Sequence, residues 1–273
     1  MELLGIFNKD GCNGLLKLRN QQSLDKYAKL AGKLRGVFVD VGFEAVKNNT
    51  SLNLFDYVHY IDAVSRVLRT KVYYVVPDSH DLTFHLNNMT IWDDLARMGK
   101  VKVSGEPVAV IHYYWDAMSG KIMRDEHGNK LNVRLWYRLM LMRYKDHFGN
   151  VVVGIPARVL TLSWNSGNPV KLQCKFHPDR CVRYIEKAII ELSNDFTHFH
   201  LLGINRREWR WLTRQLRGGS LGRLNVIISA DTDNYRLASS NKLRRVDYGK
   251  GLFMVPNDDV ACEWFKVWAM VGP

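Results

Sequence analysis

Three aspartates lie where short apolar runs of the chain end, at Asp40, Asp78 and Asp231. Two carboxylates can carry out a two-step displacement at a sugar anomeric carbon with net retention, since one attacks the carbon while the other transfers protons. A third carboxylate can accept hydrogen bonds from the N–H groups of a base. The competing interpretation is that each aspartate caps the helix after its strand. The three form a candidate catalytic set if their strands share one edge of a sheet.

A pair of histidines, His198 and His200, alternates with Phe199 and Leu201. In a β-strand this spacing points both rings to the same face. Such a pair binds metal in some barrel hydrolases, which also require further ligands at other strand ends. Three other residues could ligate zinc, namely Cys174, His177 and Cys181. Their spacing matches no common zinc module and a fourth ligand is missing, so we expect no metal or other cofactor.

Short apolar runs alternate with segments of helical period, which is typical of β–α units around a parallel sheet. The runs are Leu3–Phe7, Val37–Asp40, Val72–Val76, Val108–His112, Val151–Ile155, His198–Leu202, Val226–Ser229 and Leu252–Val255. Eight strands predict an α/β fold, a (β/α)8 TIM barrel, with residues 1–273 forming a single domain. The irregular segment at about 158–178 is predicted to be an insertion at the rim. In such a barrel, residues that end the strands line the active site.

Apolar residues recur at helical spacing between these runs and predict the buried faces of helices. The first stripe contains Tyr57, Ile61, Val64 and Leu68. Thr90-Ile-Trp-Asp93 resembles a capping box and predicts the start of a second helix. The later stripes are Leu135, Leu139 and Met142; Val182, Ile185, Ile189 and Leu192; Trp209, Leu212 and Leu216; and Val260, Trp264, Val267 and Val271.

The chain carries 39 Lys and Arg against 27 Asp and Glu, a formal net charge of +12. This excess favours an anionic partner such as nucleic acid. Four arginines follow the spacing of one helix face, and further cations come after them: Arg207, Arg210, Arg214, Arg217, Lys242, Arg244 and Arg245. Cations at this density beside Asp231 suit a phosphate backbone, which they would position without reading its sequence. The competing interpretation is a solvated outer helix face.

The sequence also excludes several classes of protein. It contains no run of 18 apolar residues, and its start lacks the basic and apolar regions of a signal peptide. It contains no G-x-G-x-x-G or P-loop motif, which argues against a dinucleotide site of the Rossmann type and against a P-loop. Four cysteines are too few for a disulfide framework. We therefore expect a cytoplasmic protein with free thiols and no membrane partner.

Seven segments, spread over nearly the whole chain, carry motifs in the order found in one family. They are DVGF at 40–43, VVPDSHD, AVIHYYW, VVVGIP, HFHLLGI, VIISADTDNYRLA and YGKGLFMV. Together they resemble the tRNA-guanine transglycosylase superfamily, which includes relatives that modify DNA. DVGF resembles the family's DSGxF/Q motif, and VIISADTDNYRLA resembles its FDSxxYxxxA segment. Two features depart from the family pattern, since Val41 replaces a serine and no CxCxxC zinc cluster follows Asp231.

The resemblance implies that a guanine-type base in tRNA or DNA is exchanged for a free 7-deazaguanine derivative. By this resemblance, Asp231 attacks C1′ of the nucleotide to give a covalent intermediate, and Asp40 transfers the proton. The base would lie against Asp78, Phe43, His112, Gly154 and Gly203. Two alternatives stay open: a barrel hydrolase that acts on nucleotides or glycosides, and a catalytically inactive barrel that binds nucleic acid.

Overall fold

The fold is taken from a computed structural model. It describes residues 3–4, 13–17, 36–40, 54–69, 71–79, 81–101, 105–118, 120–125, 127–156, 178–203, 211–212, 214–216, 218–230, 244–247 and 252–255. These ranges contain five α-helices, one 3-10 helix and twelve β-strands.

Eight of the strands form one parallel sheet. They are β1 (Leu3–Leu4), β2 (Asn13–Lys17), β3 (Gly36–Asp40), β4 (Lys71–Val75), β5 (Glu106–Val110), β8 (Val152–Pro156), β9 (His198–Leu202) and β10 (Ile227–Ala230). Across the sheet the order is β1-β10-β9-β8-β5-β4-β3-β2, and all neighbouring pairs are parallel. Strands that follow one another in this way bring their carboxyl ends to one edge of the sheet.

The prediction of a complete (β/α)8 barrel is wrong. Six strands, β3, β4, β5, β8, β9 and β10, curl into a half-barrel, and the sheet stays open. In the part of the chain that the structure describes, β1 pairs with β10 and β2 pairs with β3, and β1 and β2 do not pair with each other. The correct description is an α/β fold with an open, curled parallel sheet.

The predicted eighth strand lies outside the parallel sheet. Leu252–Val255 is a strand, β12, but it pairs antiparallel with β11 (Arg244–Asp247) in a separate two-stranded sheet. The parallel sheet instead includes β2, whose sequence NGLLK has only two apolar residues and was not predicted as a strand. The other seven predicted runs each overlap a strand of the parallel sheet. A short apolar run does not reveal its pairing partner, because pairing depends on tertiary contacts.

Two helices confirm the stripes predicted for them. These are α1 (Leu54–Leu68) and α5 (Pro178–Leu192). Their predicted faces are buried at Tyr57, Ile61, Val64, Leu68, Val182, Ile185, Ile189 and Leu192. The described helical residues 211–212 and 214–216 likewise bury Leu212 and Leu216. Trp209, the stripe from Val260 and the predicted rim insertion lie outside the described residues, apart from Pro178, at which α5 begins.

The second long helix, α2, spans Leu82–Arg97. The start predicted for it at Thr90 is therefore wrong. The capping residue is Asp81, whose carboxylate accepts a hydrogen bond from the Phe84 N–H at 3.0 Å. Thr90 lies in the middle of the helix, where its hydroxyl donates to the Leu86 carbonyl at 2.9 Å. A Thr-x-x-Asp pattern inside a helix can therefore resemble a capping box without forming one.

Helix α4 (Val133–Phe148) is present as predicted, but its predicted buried face is wrong. Leu135, Leu139 and Met142 are 52%, 56% and 37% exposed. The buried residues are Val133, Tyr137, Met140, Leu141 and Tyr144. Both tyrosine hydroxyls donate to backbone carbonyls, of His112 and of Met89. Because these bonds allow the tyrosines to be buried, the helix turns its aromatic face inwards.

The remaining elements between β5 and α4 are short. They are α3 (Tyr114–Met118) and the antiparallel strands β6 (Met123–Arg124) and β7 (Lys130–Leu131). None of the helices in the described ranges combines the length and the apolar character that crossing a membrane requires.

The two faces of the sheet have different surroundings. One face packs against the helices through residues such as Val39, Tyr74 and Phe199. The other face carries Phe38, Tyr73, Val75, Val108, Val110 and Val152. The sheet curls so strongly that the rings of Phe38 on β3 and His200 on β9 stack with centroids 4.0 Å apart, although three strands separate β3 from β9. Side chains therefore fill the interior of the half-barrel.

Candidate functional site

Two of the predicted site residues meet at the carboxyl edge of the sheet. Asp78 follows β4 and His112 follows β5, and these strands are neighbours. His112 Nε2 lies 2.6 Å from Asp78 Oδ2, and the side chains are 6% and 7% exposed. The short distance is that of a strong hydrogen bond between the ring nitrogen and the carboxyl group. The structure thus joins two residues that stand 34 positions apart in the sequence.

The carboxyl group of Asp78 has an unusual proton affinity. Burial raises the pKa of Asp78 to about 6. Interactions with His85 and with the residue's own backbone lower this pKa, but their effect is smaller than that of burial. Its second oxygen, Oδ1, has no hydrogen-bond partner among the described residues. Buried polar atoms are nearly always hydrogen-bonded. Asp78 Oδ1 is therefore an acceptor that suits the N–H group of a ligand.

The backbone around His112 is held in an unusual conformation. Tyr137 on α4 donates its hydroxyl hydrogen to the His112 carbonyl, and burial holds the pKa of Tyr137 well above its ordinary value. The next residue, Tyr113, is buried and has a φ of 63°. A bulky side chain rarely adopts this left-handed conformation, and such strain is concentrated at functional sites.

His85 is a member of this site that the sequence analysis missed. It lies on α2 and is fully buried, with its ring centroid 4.9 Å from that of His112. Burial, together with His112, lowers the pKa of His85 to about 3, so the ring is neutral near pH 7. The available signal was its position one turn after the capping residue Asp81. Asp78, His85, His112 and Tyr137 are together called the edge cluster below.

A second polar group lies inside the half-barrel. His198 Nε2 and His200 Nδ1 lie 3.1 Å and 2.9 Å from the hydroxyl oxygen of Ser229. Burial lowers the pKa of His198 to about 4 and that of His200 to about 3. Both rings point to the interior face, where His200 stacks on Phe38 and His198 contacts Tyr73 edge-on. His198, His200 and Ser229 are called the interior cluster below.

The prediction that the rings of His198 and His200 point to the same face of the sheet is confirmed. Both rings, however, are hydrogen-bonded to Ser229. Across the ranges that the structure describes, no group of three or more His, Cys, Asp and Glu side chains is arranged to hold a metal ion. The set formed by Cys174, His177 and Cys181 lies outside the described side chains.

The two predicted site glycines have different surroundings. A Cβ at Gly154 would lie 3.1 Å from Val110 Cγ2 and 3.2 Å from Leu202 Cδ1, so the space over this residue is used by neighbouring strands. Gly203 has a φ of 70° and open space around its Cα, at the carboxyl end of β9. Gly203 therefore suits a turn at the open edge, whereas Gly154 has a packing role. Their contact with a base stays a prediction.

Several predicted residues are described only in part or not at all. Asp40 is the last residue of β3, and Asp231 directly follows Ala230, the last residue of β10. Arg214 is exposed in a helical segment, as its predicted phosphate contact requires. Arg244 and Arg245 lie on β11. The side chains of Asp40, Arg244 and Arg245 lie outside the description, as do Phe43, Arg207, Arg210, Arg217, Asp231 and Lys242 altogether.

Comparison of the chain with protein-family models and with curated proteins finds no match. The function is therefore inferred from the chemistry of the edge cluster and of the strand ends beside it.

Proposed function

We propose that the protein exchanges a guanine-type base in tRNA or DNA for a free 7-deazaguanine derivative, through a covalent bond between Asp231 and the sugar. The observation that carries this proposal is the buried Asp78–His112 pair at the carboxyl edge of the parallel sheet. This edge is where α/β folds of this kind bind their ligands.

The Asp78–His112 pair suits the edge of a 6-oxopurine. Such a base presents neighbouring N–H donors, and a carboxylate accepts hydrogen bonds from them. One oxygen of Asp78 is bonded to His112 and the other has no partner among the described residues. The hydrogen bond between Oδ2 and His112 orients the carboxyl group. Oδ1 can then accept a hydrogen bond from an N–H group of the base. A buried acceptor of this kind discriminates strongly against a base without the matching donor.

Two other strand ends supply the remaining groups. Asp40 ends β3, the neighbour of β4, and Asp231 follows β10. The Asp231 carboxylate attacks C1′, the bond from C1′ to the base nitrogen breaks, and Asp40 gives the leaving base its proton. Asp40 then takes a proton from the incoming base, whose nitrogen displaces Asp231 from C1′. Two displacements give net retention at the sugar.

The positive charge of the chain supports a polymeric substrate. The nucleotide must leave its stack to reach the site, which costs a few kcal/mol. Contacts between phosphates and the cations around Arg214 offset this cost without reading the base sequence.

The test is incubation of the protein with labelled guanine and either tRNA or DNA, followed by trapping of covalent adducts. Incorporation that Asp231→Ala abolishes supports the proposal. Asp94→Asn serves as the matched control, because Asp94 is a carboxylate on the exposed side of α2, paired with Arg97. Release of free base without incorporation would replace the proposal by hydrolysis, and binding without either reaction would identify an inactive nucleic-acid-binding protein.

A further inference from the structure

Two residues other than glycine have a left-handed backbone in the described part of the chain, and their surroundings differ. Arg69, with a φ of 49°, directly follows helix α1 and is exposed. Helices commonly end in a left-handed residue, so Arg69 has the conformation of an ordinary helix end. Tyr113, with a φ of 63°, is buried and directly precedes helix α3. A helix end therefore does not account for the backbone of Tyr113.

The chain changes direction sharply at Tyr113. Strand pairing continues past the end of β5, because the Ile111 N–H donates to the Gly154 carbonyl at 2.9 Å. Helical bonding begins two residues later, since the Ala117 N–H donates to the Tyr113 carbonyl at 3.2 Å. The turn from strand to helix is thus completed within His112 and Tyr113. A left-handed residue allows a change of direction over so short a segment.

Two contacts hold this turn in place. The Tyr137 hydroxyl donates to the His112 carbonyl, which belongs to the peptide group that joins His112 to Tyr113. On the other side of Tyr113, its carbonyl accepts the first helical bond. The peptide groups on both sides of Tyr113 are therefore held, and strained backbone persists where surrounding contacts enforce it in this way. From this turn the His112 ring reaches Asp78, with 2.6 Å between Nε2 and Oδ2.

We propose that Tyr113 is a positioning residue, because its left-handed backbone aims the ring of His112 at Asp78. A right-handed or extended residue at this position would rotate the peptide group away from the Tyr137 hydroxyl and displace the His112 ring. The buried side chain of Tyr113 fills space beside the turn, whereas its backbone sets the direction of the turn. The inference rests on the proposed function only for the identity of the ligand.

The experiment compares two substitutions that both remove the ring of Tyr113. Glycine adopts a φ of 63° without strain, whereas the β-branched side chain of valine strongly disfavours it. In the free protein at pH 8, proton NMR records the proton of the His112–Asp78 hydrogen bond, and the loss of this resonance in Asp78→Ala assigns it. Tyr113→Gly should keep the resonance and bind guanine within about threefold of the wild type. Tyr113→Val should lose the resonance and bind guanine at least about tenfold more weakly.

Arg69→Val is the matched control, because it places the same β-branched side chain at the other left-handed position. It should leave the resonance and the guanine affinity unchanged. An unchanged resonance in folded Tyr113→Val would overturn the inference. Loss of the resonance in Tyr113→Gly would show that the ring and not the backbone positions His112, and it would overturn the inference even where Tyr113→Val does not fold.

The two proposals fail in different ways. If the wild-type protein shows the resonance but does not bind guanine, the proposed function fails, and the NMR comparison of Tyr113→Gly with Tyr113→Val alone decides the role of Tyr113. If the wild-type protein lacks the resonance, the His112–Asp78 hydrogen bond is absent and the positioning role is refuted.

Discussion

The edge cluster and the interior cluster are both buried groups of histidines with one oxygen-bearing partner, but their polar atoms are satisfied to different degrees. In the interior cluster, a single hydroxyl oxygen lies within 3.1 Å of both His198 and His200. In the edge cluster, Asp78 Oδ1 has no hydrogen-bond partner among the described residues. A satisfied polar group stabilises a fold, whereas an acceptor without a partner is one that the N–H group of a ligand can satisfy.

The backbone shows the same contrast. The interior cluster lies on the regular strands β9 and β10, where neighbouring residues pair in register. The edge cluster lies just beyond β4 and β5 and includes the strained position after His112, where Tyr113 has a φ of 63°. Strain of this kind persists when surrounding contacts enforce it. The contrast therefore supports the proposed ligand binding at the edge cluster and a structural role for the interior cluster.

The largest expected effect is on base binding in Asp78→Asn. The amide cannot accept as strongly as a carboxylate, so guanine affinity at pH 8 should fall by about 100-fold. Stability should not fall, because burial disfavours the charged form of Asp78 and raises its pKa to about 6. Calorimetry and urea unfolding at pH 8 measure the two effects, with Asp94→Asn as the control. A large loss of stability with unchanged affinity would reverse the assignment of the two clusters.

The opposite result is expected in the interior cluster. Ser229→Ala removes the partner of two buried imidazoles, so the free energy of unfolding should fall by about 1–3 kcal/mol. Guanine affinity should stay within about twofold of the wild type, since the Ser229 hydroxyl lies against His198 and His200 inside the half-barrel. Ser193→Ala is the matched control, because the Ser193 hydroxyl forms an exposed bond to the Ile190 carbonyl. Equal unfolding free energies for the two variants would contradict a structural role for the interior cluster.

The interior histidines also predict an acid-sensitive fold. The pKa values of His198 and His200 are about 4 and about 3 in the folded protein, against 6.5 ordinarily. Between these values the unfolded chain binds more protons, so the unfolding free energy falls as pH falls below about 6.5. His200→Phe removes one such group and should reduce this loss by about 1 kcal/mol for each pH unit between about 5.5 and 4.5. Urea unfolding at several pH values measures the slope.

Asp78 should act in the opposite direction over part of this range. Its folded pKa of about 6 exceeds the ordinary value of 3.8, so the folded protein binds more protons between these values and its stability falls as pH rises. Asp78→Asn should therefore steepen the acid-induced loss of stability, while His59→Phe, which replaces an exposed histidine on α1, should leave it unchanged. Identical slopes for His200→Phe, Asp78→Asn and the wild type would show that Asp78 and His200 do not differ in proton binding.

The sequence predicted strand ends well because apolar runs mark strands wherever they pair. Asp78 and His112 were placed after two consecutive strands, β4 and β5, and these two strands are neighbours in the sheet. The closure of the barrel could not be predicted in the same way. β12 pairs antiparallel with β11, the strand directly before it in the chain, and the apolar run alone does not distinguish this partner from a strand of the parallel sheet.

The missed parts of the site depend on how the helices are rotated. His85 lies on the buried face of α2 because this helix starts at Leu82. A helix start near Thr90, as the sequence predicted, leaves His85 outside the helix. On α4, a stripe of aliphatic residues predicted the wrong face, because the buried face contains two tyrosines. A hydropathy scale underestimates how readily a tyrosine is buried when its hydroxyl has a buried acceptor. On α4 these acceptors are backbone carbonyls of distant segments, which the sequence pattern does not reveal.

These two tyrosines allow the smallest and most specific test of the comparison. Tyr137 and Tyr144 lie two turns apart on α4, are buried, and each donate to a backbone carbonyl, of His112 and of Met89. Replacing either by phenylalanine leaves one carbonyl without its donor and should lower the unfolding free energy by roughly 1 kcal/mol.

Their effects on base binding should nevertheless differ. Tyr137→Phe releases the backbone of His112 and should weaken guanine binding a few-fold, because a displaced His112 no longer orients Asp78. Tyr144→Phe should leave the affinity unchanged, since the Tyr144 hydroxyl bonds the Met89 carbonyl and not that of His112, which bonds Asp78. Unfolding in urea and calorimetry on the same preparations separate the two effects. Equal guanine affinities in the two variants would mean that the hydroxyl of Tyr137 supports the fold alone, and the edge cluster would then consist of Asp78, His85 and His112.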